Sequence, residues 1–420
     1  MNDIEQQKMK VWRWRVFAAT WLSYAGFYFA RKPFSIVKAD LETAYGWGAE
    51  DLGMLGAAYL VAYTIGQFLA GAGGQRWGPR HVLLVGMAVS LGANAAMGFT
   101  NSFGTFAVLM ALNGLAQATG WANNVGTMGH WFRREERGRV LGIWATNYQV
   151  GGVLANTLAA YMAGEMGFRW SFFAGSLVLS AVWIVVFFNQ RNKPQDVGLP
   201  PVDDDVPDPD DVPDRETGWV RWPREVVANV LVIGFFYLFV KFIRYAIWSW
   251  APYLLNQNFG MTTEDAGYLS TVFDLAGVAG VIVCGWMSDK LFDNKRAKVA
   301  FLFIVAMAVA CVLLYTVGAT SVLLFTISLG LIGFTLYGPD ALMTGAGAID
   351  VGSAKRATLA AGIINGMGSI GSVLQELVLG TVLAEGTMTA VFAILLGAAF
   401  GATLCLAYLL YRGKKGTASI

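Results

Sequence analysis

The chain has 420 residues, of which 56% are hydrophobic and 14% charged, and 30 Lys plus Arg face 28 Asp plus Glu for a formal net charge of +2. Soluble domains carry roughly 25% charged residues, so a water-soluble protein of this length is excluded by its inability to solvate its own surface. The net charge says little about partners, but the clustering of charges between long apolar runs points to a lipid bilayer, and no nucleic-acid partner is expected.

Twelve apolar spans are predicted in chain order, at about 12–38, 51–74, 79–99, 102–128, 136–163, 167–189, 226–257, 262–288, 296–318, 320–343, 356–384 and 386–412. The first is too long for a signal peptide and lacks a small-residue cleavage site, so it is expected to remain as helix 1. Lys8, Lys10, Arg13 and Arg15 precede or open it. Further basic clusters fall at Arg76 and Arg80, at Arg133, Arg134, Arg137 and Arg139, and at Lys290, Lys295, Arg296 and Lys298. Lys355 and Arg356, then Arg412, Lys414 and Lys415, complete the set, while the alternate loops hold little beyond Lys38 and Arg169. Cytoplasmic loops are the basic ones, so both termini are expected in the cytoplasm and the protein in the plasma (inner) membrane.

Between spans 6 and 7 lies the one long polar segment, 190–225, with Asp203, Asp204 and Asp205 and Pro-Asp repeats to Asp214. It reads as an acidic cytoplasmic linker. The expected organisation is therefore an N-terminal six-helix bundle over 1–189, the linker over 190–225, and a C-terminal six-helix bundle over 226–420. The halves echo one another. Gly71 to Arg76 after span 2 matches Gly285 to Lys290 after span 8 at an offset of 285 − 71 = 214, and Arg31 matches Arg244 at 244 − 31 = 213. Two markers at nearly one interval indicate an internal duplication.

Ionisable residues inside spans carry the functional signal, since an arginine at the bilayer centre costs about 2.5–3.5 kcal/mol on insertion scales and faces a cavity or a partner. Arg31 lies deep in span 1 and Arg244 deep in span 7, with Lys241 one turn before it. Two readings fit. Guanidinium groups on the two halves suit a phosphate, which accepts paired hydrogen bonds from each; alternatively each arginine pairs with Asp274, Asp340 or Glu376. Counting Arg31, Lys32, Lys241 and Arg244 against those three carboxylates leaves 4 − 3 = 1 positive charge in excess, which favours an anionic ligand slightly. Tyr24 and Tyr28 share the helical face of Arg31. Tyr63, Trp121, Tyr148, Tyr245 and Tyr337 are further aromatics within spans, and Asn123, Asn124, Asn147 and Gln149 are amides that need partners.

Other chemistry is not indicated. Cys284, Cys311 and Cys405 lie in apolar runs, and His81 and His130 offer no metal-ligand spacing, so neither disulfide, metal nor cofactor is expected. Gly366 to Gly371 matches a dinucleotide loop but lacks its strand–turn–helix context. Asp289 beside Lys290 reads as a gate or structural contact at a helix end. No nucleophile–base constellation suggests an enzyme.

Gly285-Trp286-Met287-Ser288-Asp289-Lys290 resembles the 8–9 loop motif of the major facilitator superfamily, with Gln75 departing from its usual aspartate in the 2–3 counterpart. More specifically, Tyr28 to Pro33, Gly120-Trp121, His130 to Phe132, Val150 to Gly152, Arg244-Tyr245, Trp250 to Pro252 and Tyr337 to Pro339 resemble, in order, the organophosphate:phosphate antiporters. Arg31 to Lys38 and Gly338 to Met343 look closest to the sugar-phosphate exchangers of that family. The resemblance implies an all-α membrane fold of twelve helices in two pseudo-symmetric bundles, working by alternating access on an organophosphate and inorganic phosphate. It implies Arg31 and Arg244 as the phosphate ligands, and Asp274 in the place of a carboxylate that meets the basic residues. Tyr148 stands where the glycerol-3-phosphate transporter has a histidine, and Gln67 where it has a lysine, which favours a hexose phosphate such as glucose-6-phosphate. The expected secondary ligands are Tyr28, Lys32, Tyr63, Trp121, Asn124, Tyr148, Lys241, Tyr245 and Tyr337; Asp274, Asp289 and Asp340 are expected as charge partners or gates. A monomer is expected. The alternatives are a proton-coupled exporter titrating Asp274 or Asp340, and a transporter-like sensor of sugar phosphate.

Overall fold

The structure, a computed structural model, describes residues 3–133, 136, 140–141, 143–202, 224–292, 296–343 and 357–414. The acidic run from Asp203 to Asp214 and the basic residues Arg134, Arg137, Arg139, Lys295, Lys355, Arg356 and Lys415 fall outside them. The described residues are almost wholly helical. Among the described residues nine helices are long and apolar enough to cross a membrane, by length and composition: Ala49–Trp77, Pro79–Met97, Arg169–Asn189, Arg224–Phe259, Thr263–Ser288, Ala297–Val317, Val322–Ala341, Ile363–Glu385 and Met388–Lys414. They correspond to predicted spans 2, 3 and 6 to 12.

None of the three remaining predicted spans is the continuous helix expected, and span 5 turns at Ala145 and Thr146. Span 1 is broken: α1 (Asp3–Phe29) gives way to a turn at Ala30 and Arg31, then α2 (Lys32–Ile36) and α3 (Lys38–Tyr45). Pro33 has no N–H to continue the ladder, so the chain closes α1 with short bonds from Ala30 N to Phe27 O (3.1 Å) and Arg31 N to Tyr28 O (3.0 Å). Span 4 divides at Ala118 into α6 (Phe103–Gln117) and α7 (Thr119–Trp131), where the Thr119 hydroxyl donates to the Ala116 carbonyl. Hydroxyl back-bonding of this kind bends helices.

By backbone proximity the chain falls into two compact units, 1–33 with 61–220 and 34–60 with 221–420. Segment 34–60, which sequence places in the first half, thus groups with the second unit. In the first unit α1 packs on α8 (Asn147–Met166) and α9 (Arg169–Asn189), and α5 (Pro79–Met97) packs on α6, α7 and α9. Phe27, Leu83, Met87, Leu179 and Val186, all buried, form a core where α1, α5 and α9 meet.

In the second unit α10 (Arg224–Phe259) is the central helix. It packs against α14 (Ala357–Glu385), α15 (Met388–Lys414) and α11 (Thr263–Lys290), and α13 (Val322–Ala341) packs between α11 and α12 (Arg296–Val317). Segment 34–60 is keyed to this unit at Glu376 of α14. Lys38 Nζ lies 3.0 Å from Glu376 Oε2, with side chains 0% and 5% exposed, and the Lys38 ammonium sits 3.3 Å from the centre of the Trp250 ring. The Ser249 hydroxyl accepts from Lys38 at 2.8 Å and donates to Glu376. Helix α4 (Ala49–Trp77) reaches the same carboxylate through its glycines: a Cβ on Gly56 would lie 2.5 Å from Glu376 Cδ, and one on Gly53 2.5 Å from the Glu376 carbonyl oxygen. Only glycine permits that approach. Nearby, Thr263 donates to Asp40 at 2.8 Å, while burial raises the Asp40 carboxyl above its ordinary value against that hydrogen bond.

Candidate functional site

Each unit holds one of the two arginines singled out from sequence. In the first unit the break at Ala30 and Arg31 turns the arginine out of the α1 ladder. Its Nε donates to Gln117 Oε1 at 2.8 Å, and its guanidinium carbon lies 4.9 Å from the Tyr28 ring centre and 5.1 Å from that of Tyr63. Tyr28 is buried and Tyr63 half-buried. The electron-rich ring faces stabilise the cation without neutralising it.

An aromatic cluster continues from there along α1. Tyr24 lies 6.1 Å from Tyr28, 5.5 Å from Trp121 and 5.8 Å from Trp144, and the two tryptophans are 5.4 Å apart. Trp121 is the exposed member at 44%, so it offers a ring surface that its neighbours do not. Asn124 is fully buried and its Nδ2 donates to Ser23 Oγ at 2.8 Å, a helix-to-helix contact. Tyr148 is half-buried in the first turn of α8, between the buried amides Asn147 and Gln149. Lys32 is buried as the first residue of α2.

In the second unit Arg244 Nη1 meets Asp340 Oδ2 at 2.8 Å, with side chains 18% and 8% exposed. Its guanidinium lies 4.6 Å from the Tyr337 ring centre and 6.0 Å from that of Tyr245. Tyr337 donates its hydroxyl to Asp274 Oδ1 at 2.6 Å, and its ring packs on Gly277, one helical turn from Asp274. Lys241 donates to Asn365 Oδ1 at 3.0 Å and lies 4.9 Å from the Tyr237 ring. Asp289 belongs to the last turn of α11, and its side chain is outside the described residues.

The carboxylate pairing allowed by sequence is thus realised at Arg244, through Asp340, while Glu376 is taken by Lys38. Sequence treated Lys38 only as a loop charge and gave no role to Gln117. The chemistry offered is anion binding: a guanidinium in each unit, flanked by tyrosines, with an ammonium one turn from the second. Among the described residues no group of three His, Cys, Asp or Glu is placed to hold a metal. A groove of about 670 Å³ in the first unit, lined by Trp77, His81, Val85, Leu112 and Leu115 among others, is apolar and includes neither arginine.

Comparison with known proteins identifies the family. The Major Facilitator Superfamily model matches residues 16–374 and 233–419. The glycerol-3-phosphate transporter of Bacillus subtilis is 29% identical over 416 residues, covering 96% of this chain and 93% of the relative. The membrane sensor protein UhpC of Salmonella typhimurium is 27% identical over 98% of this chain and 94% of its own. A probable hexose phosphate transport protein of Chlamydia pneumoniae is 25% identical over 91% and 87%. Among solved structures, a bacterial homolog to the human lysosomal transporter Spinster superposes with a TM-score of 0.76 at 15% identity, covering 95% of this chain and 98% of that one. The chain therefore belongs to the Major Facilitator Superfamily, as a multi-pass membrane transport protein whose relatives are organophosphate transporters and their sensor kin.

Proposed function

We propose that this protein exchanges an organophosphate, a hexose phosphate such as glucose-6-phosphate, for inorganic phosphate across the plasma (inner) membrane. It does so as a monomer of twelve spans with both termini cytoplasmic, by alternating access of two six-helix halves. One observation carries the reading: each compact unit contains one of the two deep arginines, held over two tyrosine rings, Arg31 on Tyr28 and Tyr63, and Arg244 on Tyr337 and Tyr245.

A guanidinium presents two parallel N–H donors to a phosphate. Arg31 and Arg244 together hold the phosphoryl group, and Lys241, Lys32 and the tyrosine hydroxyls complete its shell. Trp121, Asn124 and Tyr148 meet the organic moiety. Asp340 occupies Arg244 until an anion competes for it, and Asp274 fixes the Tyr337 hydroxyl; Asp289 serves as a gate at the end of α11. Bound phosphate bridges Arg31 and Arg244 and draws the halves together, whereas in the empty carrier Arg244 stays with Asp340 and reorientation is slow. Exchange in preference to net flux follows from that difference.

The test is uptake of labelled phosphate by purified protein in vesicles preloaded with phosphate, with glucose-6-phosphate, glycerol-3-phosphate and phosphoglycerate as competitors. Saturable exchange is expected, competed best by the hexose phosphate and lost in Arg31→Ala and Arg244→Ala. Arg31→Lys keeps the charge without the fork and is expected to lose at least about tenfold in affinity. Rapid net efflux with no phosphate opposite refutes the exchange mechanism. A second reading draws on the 27% identity with a membrane sensor protein: binding without turnover. Phosphate-dependent thermal stabilisation with no exchange would establish it.

A further inference from the structure

Arg31 is held by more than its tyrosines. Ser90 of α5 and Asn113 and Gln117 of α6 are all buried, at 0%, 2% and 0% exposure, and they are joined by hydrogen bonds. Asn113 Nδ2 donates to the Ala30 carbonyl at 2.8 Å. Asn113 Oδ1 accepts from Ser90 Oγ at 2.6 Å and from Gln117 Nε2 at 3.1 Å. Gln117 Nε2 also reaches Ser90 Oγ at 3.3 Å, and Gln117 Oε1 accepts from Arg31 Nε at 2.8 Å.

The polarity of this chain is dictated from one end. A carbonyl oxygen only accepts, so at Ala30 Asn113 must present its NH₂ group. Its Oδ1 then faces Ser90 and Gln117, so Gln117 must present its own NH₂ there and turn Oε1 toward the arginine. The Ala30 carbonyl needs a side-chain donor because the helix breaks at that point, after which Pro33 opens the next helix. The same break that releases Arg31 from α1 thereby sets the orientation of the amide that receives it. Fixing the guanidinium through Nε defines its plane and the direction of its Nη1–Nη2 edge, the edge that makes a bidentate bond to phosphate.

We propose that Gln117, Asn113 and Ser90 are positioning residues for Arg31, a buried relay that aims the guanidinium fork at the phosphoryl group. The proposal rests on Arg31 binding phosphate. It requires Gln117 to act on the ligand only through Arg31, and epistasis reads that directly. Lysine has neither the Nε donor nor a fork, so in an Arg31→Lys background the relay has nothing to aim.

The experiment measures phosphate KM and kcat for exchange in vesicles, and the phosphate-dependent rise in Tm of the purified full chain. The variants are Gln117→Leu, Ser90→Ala, Arg31→Lys, Arg31→Ala and the double variants Gln117→Leu/Arg31→Lys and Ser90→Ala/Arg31→Lys. Gln117→Leu is expected to raise phosphate KM about tenfold, the order of one lost charge-assisted hydrogen bond. In the Arg31→Lys background the same change is expected to move KM by less than about twofold. Ser90→Ala, which keeps the Gln117–Asn113 bond and removes few atoms, is expected to give a smaller rise that likewise disappears with Arg31→Lys. Equal effects of Gln117→Leu in both backgrounds, or an unchanged KM in both Gln117→Leu and Ser90→Ala, overturn the positioning role. A phosphate-dependent Tm rise that persists in full in Arg31→Ala instead overturns the assignment of Arg31, and so separates the two failures.

Discussion

Removing the charge of Lys38 while leaving Glu376 in place should destabilise the second unit severely, and removing both charges should not. At 3.0 Å, with an effective dielectric of about 20, the attraction between the two groups is roughly 5–6 kcal/mol. Most of this offsets the desolvation of two groups that are 0% and 5% exposed. Lys38→Met leaves the carboxylate of Glu376 buried with only the Ser249 hydroxyl donating to it from the present cluster, and stranding one partner of such a pair costs about 3–5 kcal/mol. For a unit of this size that is a fall in Tm of about 6–20 °C. Lys38→Met/Glu376→Leu replaces both charges by apolar groups and should recover most of the loss, since well-packed apolar replacements of buried pairs are near neutral. The assay is thermal unfolding of the four proteins in one detergent, followed by the fluorescence of the tryptophans, one of which, Trp250, faces the ammonium. A Tm loss below about 2 °C in Lys38→Met would refute the reasoning, because that is the range of a solvent-exposed pair; so would a double variant that loses the sum of the two singles.

Asp340→Asn releases Arg244 from a partly exposed ion pair without removing the hydrogen-bonding shape of the side chain. Phosphate affinity, measured as the Tm rise against phosphate concentration, should increase about fivefold, with about 1 kcal/mol as the discounted worth of the pair; weaker binding would place Asp340 among the ligands. Asp40→Asn tests the raised carboxyl in α3. A carboxyl whose folded pKa lies above its unfolded value near 3.8 contributes stability that is full below that value and lost as pH rises through the folded pKa. The asparagine, which cannot ionise, should therefore equal or exceed wild type in Tm at neutral pH and lose that advantage below about pH 4.

Residues that announce themselves by type were legible in the sequence: arginines deep in apolar runs, with tyrosines at helical spacing. Arg31 with Tyr28 follows from local periodicity alone, and the fold class follows from the alternation of apolar spans and basic loops. Tyr63 and Tyr337 are brought to their arginines by tertiary packing, which spacing does not encode. Gln117, Asn113 and Ser90 passed unnoticed because a polar side chain in a membrane helix has no distinguishing mark until the donor and acceptor it meets are known. Lys38 is illegible in the sequence for a related reason. A lysine at the very end of a hydrophobic run looks like a loop charge, and its partner is 338 residues away in sequence. Pro33 signalled a helix break, yet its consequence falls at Ala30 and Arg31, because the missing donor acts one turn back along the ladder.

The distance in sequence between Lys38 and Glu376 is also an interval of time. At about 5–20 residues per second, the 338-residue separation takes roughly 20–70 s to synthesise. For that period the lysine has already left the ribosome and its carboxylate does not yet exist. The nascent first half must keep the ammonium in water, in the headgroup region or on a borrowed partner, and hand it to Glu376 once α14 is made. A chain truncated before α14 carries this lysine without its partner, and the unsatisfied charge itself marks the product as incomplete.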